Sequence, residues 1–239
     1  MCYNVFKILF GCENMISTVK DWNPKQASLK DLLSKKDSFN EAISIALELH
    51  SFVHSSEVSD IIVKTYLDEL MENLDESLYK SMPNVKGWTI AWNLWHITRI
   101  EDIASNILIS EKGQVFNQEW QKRMNVSVTD TGNAMTKDEI AAFSSSIDMK
   151  AFQQYRDAVG KRTRQVIKEL ELQELKRKVS PNSLKRVLDE GGVLEIEESR
   201  WLLDFWGRKN VAGLLQMPIT RHQIVHINDS MRLRKKYQE

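Results

Sequence analysis

Apolar residues recur at steps of three and four along most of this 239-residue sequence, and this periodicity constrains the fold more than any other feature. In one clear run, Ile62, Tyr66, Leu70 and Leu74 repeat every four residues. Side chains at this spacing share one face of an α-helix, whereas side chains in a strand alternate between two faces. Only 9 Gly and 4 Pro interrupt the pattern. The sequence therefore predicts an all-α protein.

Periodicity and helix-breaking residues together predict where the long helices lie. A first long core helix is expected over residues 59–82, because the residue before Pro83 is pushed away from helical dihedral angles. A second helix with an unusually aromatic face is expected over about residues 87–110. A third is expected from about residue 149 to residue 170. All three should bury an apolar stripe in a common core.

The last principal helix is expected to follow Pro218. Thr220 and Gln223 are spaced as the two ends of a capping box, in which each side chain bonds to a backbone N–H near the start of a helix. A long crossover over residues 114–146 and a helical insertion over residues 172–217 separate the principal helices. Four such helices predict a four-helix up-down bundle.

The chain is expected to divide into an N-terminal extension and one main domain. Residues 26–52 show helical periodicity, so one or two accessory helices are predicted within an extension that covers residues 1–50. The bundle domain is then expected to cover residues 51–239. Met15 offers an alternative start, so residues 1–14 are expected to be flexible or a misassigned beginning.

Composition disfavours several classes of partner. Lys plus Arg and Asp plus Glu number 33 each, so no overall positive charge would attract nucleic acid or an anionic membrane. No apolar run approaches the roughly 18 to 20 residues that span a bilayer. Cys2 and Cys12 both lie in the first dozen residues, where they do not indicate a disulfide framework. A cytoplasmic protein without nucleic-acid or membrane partners is expected.

Four of the five histidines form two pairs spaced by four residues: His50 with His54, and His222 with His226. In a helix, two imidazoles at this spacing lie over one another and can chelate one metal ion. If Thr220 caps the last helix, His222 lies in its first turn, where the helix dipole favours the neutral imidazole that a metal needs. His96, among the aromatic residues of the second helix, is the best third ligand. The pattern predicts a metal site formed by His96, His222 and His226.

Less specific interpretations remain open for the neighbouring polar residues. A pair of histidines spaced by four is more often structural than metal-binding, and His54 precedes a predicted helix start, where it could be a capping or surface residue. His50 and His54 could instead supply a fourth ligand or a substrate contact. Glu101 and Asp229 could support the site or be solvated surface charges. Arg99 and Arg221 could hold an anionic substrate group or pair with acidic neighbours.

Two segments resemble the DinB-like superfamily of metal-binding helical bundles, which includes the DinB and YfiT types. They are Ile90-Ala91-Trp92-Asn93-Leu94-Trp95-His96-Ile97 in the second helix, and His222-Gln223-Ile224-Val225-His226-Ile227-Asn228 in the last. The resemblance extends over about residues 58–236 and implies that His96, His222 and His226 jointly bind a divalent ion. The N-terminal extension and the insertion depart from the family pattern, which leaves the shape of the substrate pocket open.

Three histidine ligands leave open positions on an ion, which is typical of a catalytic site. The resemblance implies an enzyme that uses Zn, Ni, Fe or Mn to activate a low-molecular-weight thiol or water for attack on a small electrophile. The alternative is a non-catalytic, stress-associated binding or dimerisation protein whose metal is structural or absent. A homodimer is expected in either case. A closed site would favour the structural alternative, whereas a site at the floor of a cavity would favour catalysis.

Overall fold

A computed structural model describes residues 18–59, 61–82 and 87–238. The α-helices in these ranges are α1 (Asn23–Leu32), α2 (Phe39–Val53), α3 (Ser56–Ser59), α4 (Tyr66–Met71), α5 (Glu76–Lys80), α6 (Ile90–Asp102), α7 (Gln118–Arg123), α8 (Lys137–Ser146), α9 (Met149–Glu169), α10 (Pro181–Asp189), α11 (Glu197–Gly207), α12 (Val211–Leu214) and α13 (His222–Gln238). Three π-helical segments (Thr18–Trp22, Ile103–Ile109, Leu215–Arg221) and two 3-10 turns (Lys36–Ser38, Leu172–Lys176) complete the list. Within the described ranges no strand forms, and one isolated β-bridge joins Lys178 to Asn210. The predicted all-α class is confirmed.

Helix α6 lies at the centre of the molecule. All 13 of its residues are buried, and so is every residue of the π-helical segment Ile103–Ile109 that continues it. It packs against α5, α8, α9 and α13, while α2 packs against α9 and α13. The predicted second and third helices are confirmed by this continuous segment and by α9 (Met149–Glu169). A helix that is buried on all sides can carry polar side chains only where other polar groups bond to them. The buried polar side chains of α6 therefore mark where the candidate site lies.

The predicted single helix over residues 59–82 is wrong. This stretch contains the end of α3, then α4 and α5 as separate short helices. Thr65 begins α4 with a capping box, Asp75 caps α5, and Asn73 between them has a positive φ of 51°. Ile62, which the apolar pattern assigned to the core, is fully exposed. The capping side chains bond to backbone N–H groups at the starts of α4 and α5, which favours two short helices over one continuous helix. The apolar spacing alone therefore predicted the wrong helix limits.

The predicted capping box at the last helix is also wrong. The π-helical segment Leu215–Arg221 contains Pro218 and runs directly into α13 without a break. Thr220 Oγ1 donates to the carbonyl oxygens of Leu215 and Gln216, one turn earlier, and does not cap. Proline lacks an N–H and crowds the preceding turn, and the widened π-helical turn accommodates it inside the helix. His222 is therefore not at a helix start.

The shorter elements follow the predicted order. The capping box that begins α8 at Thr136 is present, and α10 and α11 form within the predicted insertion. Helices α1 and α2 occupy the region where accessory helices were expected, although α2 runs across residue 50, so the division of the chain at that position stays a prediction. Residues 1–14 lie outside the described residues. Among the described helices, none is both long and apolar enough to cross a membrane.

Candidate metal centre

The three histidines singled out by the sequence lie together in the structure. His96 projects from α6, and His222 and His226 project from α13, which packs directly against it. Their nearest ligand nitrogens all lie within 4.8 Å of one another. The ring centroids are 4.7 Å apart for His222 and His226 and 4.9 Å apart for His96 and His226. Three imidazoles at these separations can present one nitrogen each to a shared point.

Hydrogen bonds at the Nδ1 atoms orient two of the rings. His96 Nδ1 lies 2.9 Å from the carbonyl oxygen of Thr131, and His226 Nδ1 lies 3.0 Å from Asn93 Oδ1, with the amide placed so that its oxygen faces the ring. Since both oxygens accept, each Nδ1 carries the proton and donates it. Each Nε2 then keeps its lone pair. A ligating histidine in proteins is usually held in this way, because the outer bond fixes its tautomer.

His222 supplies a different observation. Its Nδ1 is buried and has no hydrogen-bond partner within the described part of the chain. A buried polar atom without a partner is uncommon in native proteins, because it loses its bond to water without replacement. A metal ion bound at this Nδ1 would relieve the cost. The donor set and the orphaned nitrogen therefore both fit a bound divalent ion.

The electrostatics of the centre keep the rings neutral. Burial lowers the pKa of His96 to about 3 and that of His226 to about 4. Burial, with the neighbouring rings, also holds the pKa of His222 well below its usual range. The cause at His222 is therefore desolvation, where a helix dipole had been expected. Neutral imidazole is the form that coordinates a metal.

The Trp92 side chain and a tight turn hold His96 from the other side. Trp92 stacks on the His96 ring, with centroids 4.9 Å apart and planes within 8°. Trp92 Nε1 donates to the carbonyl oxygen of Gly132. Gly132 has a φ of +68°, and a Cβ there would lie 3.0 Å from Trp92 Nε1, so the turn that also supplies the Thr131 carbonyl needs glycine.

A cavity of about 120 Å³ opens beside the three-histidine centre. Apart from His96 and His222, its walls are apolar: Ile100, Trp201, Leu202, Phe205, Trp206, Met217 and Pro218. Trp201 is 54% exposed, so the cavity reaches the molecular surface at this residue. The residues of α11 that form much of this wall come from the predicted insertion. The centre thus lies at the wall of a small apolar pocket.

Comparison with protein families identifies the chain. A sequence model described as the DinB superfamily matches residues 63–228, which include all three histidines. The chain belongs to the DinB superfamily. A comparison with curated proteins gives no match. The matched region excludes α1 and α2, so His50 and His54 lie outside it.

A second group of polar side chains in this DinB superfamily protein is fully enclosed. His50 and His54 on α2 and Glu101 on α6 are all 0% exposed. His50 Nε2 lies 2.8 Å from Glu101 Oε1, and His54 Nε2 lies 2.9 Å from Glu101 Oε2. The interpretation of His54 as a surface residue is therefore wrong, whereas His54 does occupy the C-cap position of α2. Glu101 is buried, so the interpretation as a solvated surface charge is wrong. Its hydrogen bonds go to His50 and His54, and none joins it to the three-histidine centre that it was considered to support.

The charges in this second group can be assigned. Burial opposes ionisation of Glu101, yet the hydrogen-bonding groups of His54 and His50 beside the carboxylate hold its pKa well below the usual range. Burial lowers the pKa of His54 to about 3. Glu101 is thus a buried carboxylate that accepts from Nε2–H groups, and the fully buried Arg156 guanidinium acts on it as a positive charge. An isolated buried carboxylate would be costly without such partners.

Two histidines and a carboxylate could also hold a metal, but their outer contacts differ from those of the first centre. The Nδ1 atoms of His50 and His54 have no acceptor among the described residues. His54 Nδ1 instead faces Gly160 of α9, where an added Cβ would lie 2.5 Å away. With no acceptor to take an Nδ1–H, the proton is better placed on Nε2, where Glu101 accepts it. The geometry favours a hydrogen-bonded cluster here and a metal at the three histidines.

A buried network that the sequence did not indicate joins the two groups. Arg156 on α9 donates to Thr98 Oγ1, to the Val53 carbonyl oxygen and to Gln223 Oε1. Gln223, adjacent to His222, donates in turn to the carbonyl oxygen of Ile97, adjacent to His96. Position 156 falls on the apolar face of α9 that Phe152 and Val159 mark, and this placement was the available signal for a buried arginine.

Three further charged residues singled out by the sequence form no hydrogen bond or ion pair with the three histidines in the described part of the chain. Arg99 is fully buried and donates to Asp102 Oδ2, Tyr155 and the Thr129 carbonyl oxygen. Asp229 forms an ion pair with the exposed Arg232. Arg221 is exposed and lines a separate, larger cleft. Of these three residues, Arg221 lines a cavity in the described part of the chain.

Proposed function

We propose that this DinB superfamily protein binds one divalent metal ion through His96, His222 and His226. The observation that carries the proposal is the convergence of three neutral imidazoles, two of them held by Nδ1–H donors and the third with an orphaned buried nitrogen. Zn, Ni, Fe and Mn all accept imidazole nitrogen, so the ligands leave the metal identity open. Three protein ligands would leave at least one position for a small molecule.

We further propose that the protein is a metal-dependent enzyme, acting as an S-transferase or a hydrolase. The adjacent apolar pocket supports catalysis over a purely structural ion, because it could admit a small electrophilic substrate to the histidine centre. When bound, the metal would lower the pKa of a coordinated thiol or water and so supply the nucleophile. The chain's own contribution is to hold the three imidazoles neutral and oriented and to exclude bulk water through the apolar walls.

We infer that α2, α6, α9 and α13 form the four-helix up-down arrangement expected of a DinB bundle. Packing of α6 against α9 and α13, and of α2 against the same two helices, supports this assignment. Helix α2 would then take the place in the bundle that was predicted for residues 59–82. A homodimer and a cytoplasmic location stay predictions, which light scattering and cell fractionation would test.

Metal analysis of the purified full chain, prepared without a histidine tag, tests the proposal. Wild-type protein should carry about one equivalent of a divalent ion, as expected for one such site. His96→Ala and His222→Ala should lose it. His50→Gln is the matched control, since it removes a buried histidine outside the centre and should keep the ion. If repletion with all four metals loads neither wild type nor control, the protein is a helical binding protein, as the alternative stated.

A further inference from the structure

A cleft of about 680 Å³ lies between α1 and the segments that lead into α13. Its walls include Lys30 on α1, Lys209 after α11, and Arg221 at the end of the π-helical segment Leu215–Arg221. Pockets that bind small organic molecules commonly have volumes of roughly 300 to 1,000 Å³. The cleft is therefore large enough for a metabolite, whereas the pocket of about 120 Å³ beside the histidines can hold only a small part of one.

The charged residues that line the cleft are all positive. Three of its lining residues are cations, and no Asp or Glu is among them. Lys30, Lys209 and Arg221 form no ion pair within the described ranges; Lys209 Nζ lies 4.4 Å from the centre of the Phe205 ring. By contrast Lys25, also on α1 but outside the cleft, pairs with Glu48 at 3.0 Å. Amide side chains of Asn23, Gln26, Gln216 and Asn228 also line the walls. Such a lining favours an anion.

The cleft adjoins the candidate metal centre. Phe205 and Met217 contribute to the walls of both the cleft and the histidine pocket. Arg221 also directly precedes His222 in the chain. Met217 has a flexible, unbranched side chain, so the shared wall can adjust to what occupies either side. An extended ligand could thus place a charged group in the cleft and an uncharged end toward the histidines.

We propose that this cleft binds a small organic anion, through Lys30, Lys209 and Arg221, as the charged part of the substrate. The claim that the anion is part of a substrate rests on the proposed function. The claim that the cleft binds an anion can be tested independently of that function. A carboxylate and a phosphate ester present the same anionic oxygens to these cations, and the experiment separates them.

Isothermal titration calorimetry on the full chain at about 50 mM ionic strength, where surface charges are only partly screened, tests the proposal. The probes are 1-naphthaleneacetate, 1-naphthyl phosphate and the neutral 1-naphthaleneacetamide. At least one anion should bind about tenfold tighter than the amide, as three modest ion pairs together would give. The tighter anion identifies the preferred charged group.

Two double variants make the result specific to the cleft. Lys209→Gln with Arg221→Gln should abolish most of the preference for the anion. Lys122→Gln with Lys150→Gln removes the same net charge from exposed positions outside the cleft lining. This control variant should retain the preference for the anion. Equal affinity for all three probes, or equal losses in both double variants, would overturn the proposal. Metal content measured on the same samples keeps the two ideas apart, because anion binding can hold without metal and metal binding without an anion preference.

Discussion

Gln223 Nε2 donates to the carbonyl oxygen of Ile97 at 2.9 Å, and this bond links the two helices that carry the candidate metal ligands. Gln223 and Ile97 are the direct chain neighbours of His222 and His96. The same Gln223 accepts a hydrogen bond from Arg156 through Oε1. One buried amide therefore braces α13 against α6 directly beside two of the histidines.

Replacing Gln223 should destabilise the protein and weaken the metal centre. Gln223→Leu keeps much of the side-chain volume but leaves the Ile97 carbonyl and one Arg156 donor without this partner, at an expected cost of about 1 to 3 kcal/mol. Urea unfolding measures the loss. Gln165→Leu, which breaks an exposed bond to Glu169, is the control and should cost less than about 0.5 kcal/mol. Equal effects of the two substitutions would show that the buried amide does not brace the helices.

Acid should destabilise the metal-free protein below about pH 6.5. His54 and His96, with pKa values lowered to about 3, and His226, with a pKa lowered to about 4, stay neutral in the folded state. In the unfolded chain each binds a proton near pH 6.5, so the unfolded state gains protons first as the pH falls. Each histidine therefore stabilises the fold above pH 6.5, and this contribution is lost progressively towards the folded-state pKa.

The expected size is about 1 kcal/mol per histidine between pH 7.5 and pH 5.5. Urea unfolding of the metal-free protein at the two pH values measures it. His226→Gln should reduce the pH-dependent loss by the share of one histidine, whatever its effect on stability at pH 7.5. A free energy of unfolding that does not change between the two pH values would contradict the assignment of neutral buried rings.

The sequence located the three-histidine centre because its information is local: a pair spaced by four on one helix, and one histidine within an aromatic helix. It did not reveal that Glu101 pairs with His50 and His54, because that contact joins α2 to α6 across about 50 residues of chain. The apolar pattern also predicted one helix over residues 59–82, where the caps at Thr65 and Asp75 decide the helix limits. Apolar periodicity indicates which face is buried, but capping bonds and long-range partners decide where helices end.

Gly160 is predicted to be required for packing of the His50–His54–Glu101 cluster. In Gly160→Ala the new Cβ would lie 2.5 Å from His54 Nδ1 and 2.8 Å from its Cε1, so the ring or α9 must move. Overpacking of this kind costs about 1 to 3 kcal/mol, more than alanine gains from its helix propensity. Thermal unfolding measures the change. Gly113→Ala, which has no atom within 4 Å of the added Cβ, should change stability little. A more stable Gly160→Ala variant would mean that His54 can leave its position freely.

Asn93 is predicted to tune the affinity of the metal centre without binding the ion. Its Oδ1 accepts the Nδ1–H of His226, and Asn93→Leu would remove this acceptor, so that the ring loses its fixed tautomer and orientation. Loss of such an outer contact typically lowers metal affinity by about 10- to 100-fold. Competition for zinc with a chromophoric chelator measures the dissociation constant.

Asn182→Leu, at an exposed position on α10, is the control and should bind zinc as wild type does. Because both variants make the same chemical change, equal zinc affinity in the two would show that the His226 orientation does not depend on Asn93. A loss confined to Asn93→Leu would assign the Nε2 of His226 to the metal, since only a ring held through Nδ1 would be affected.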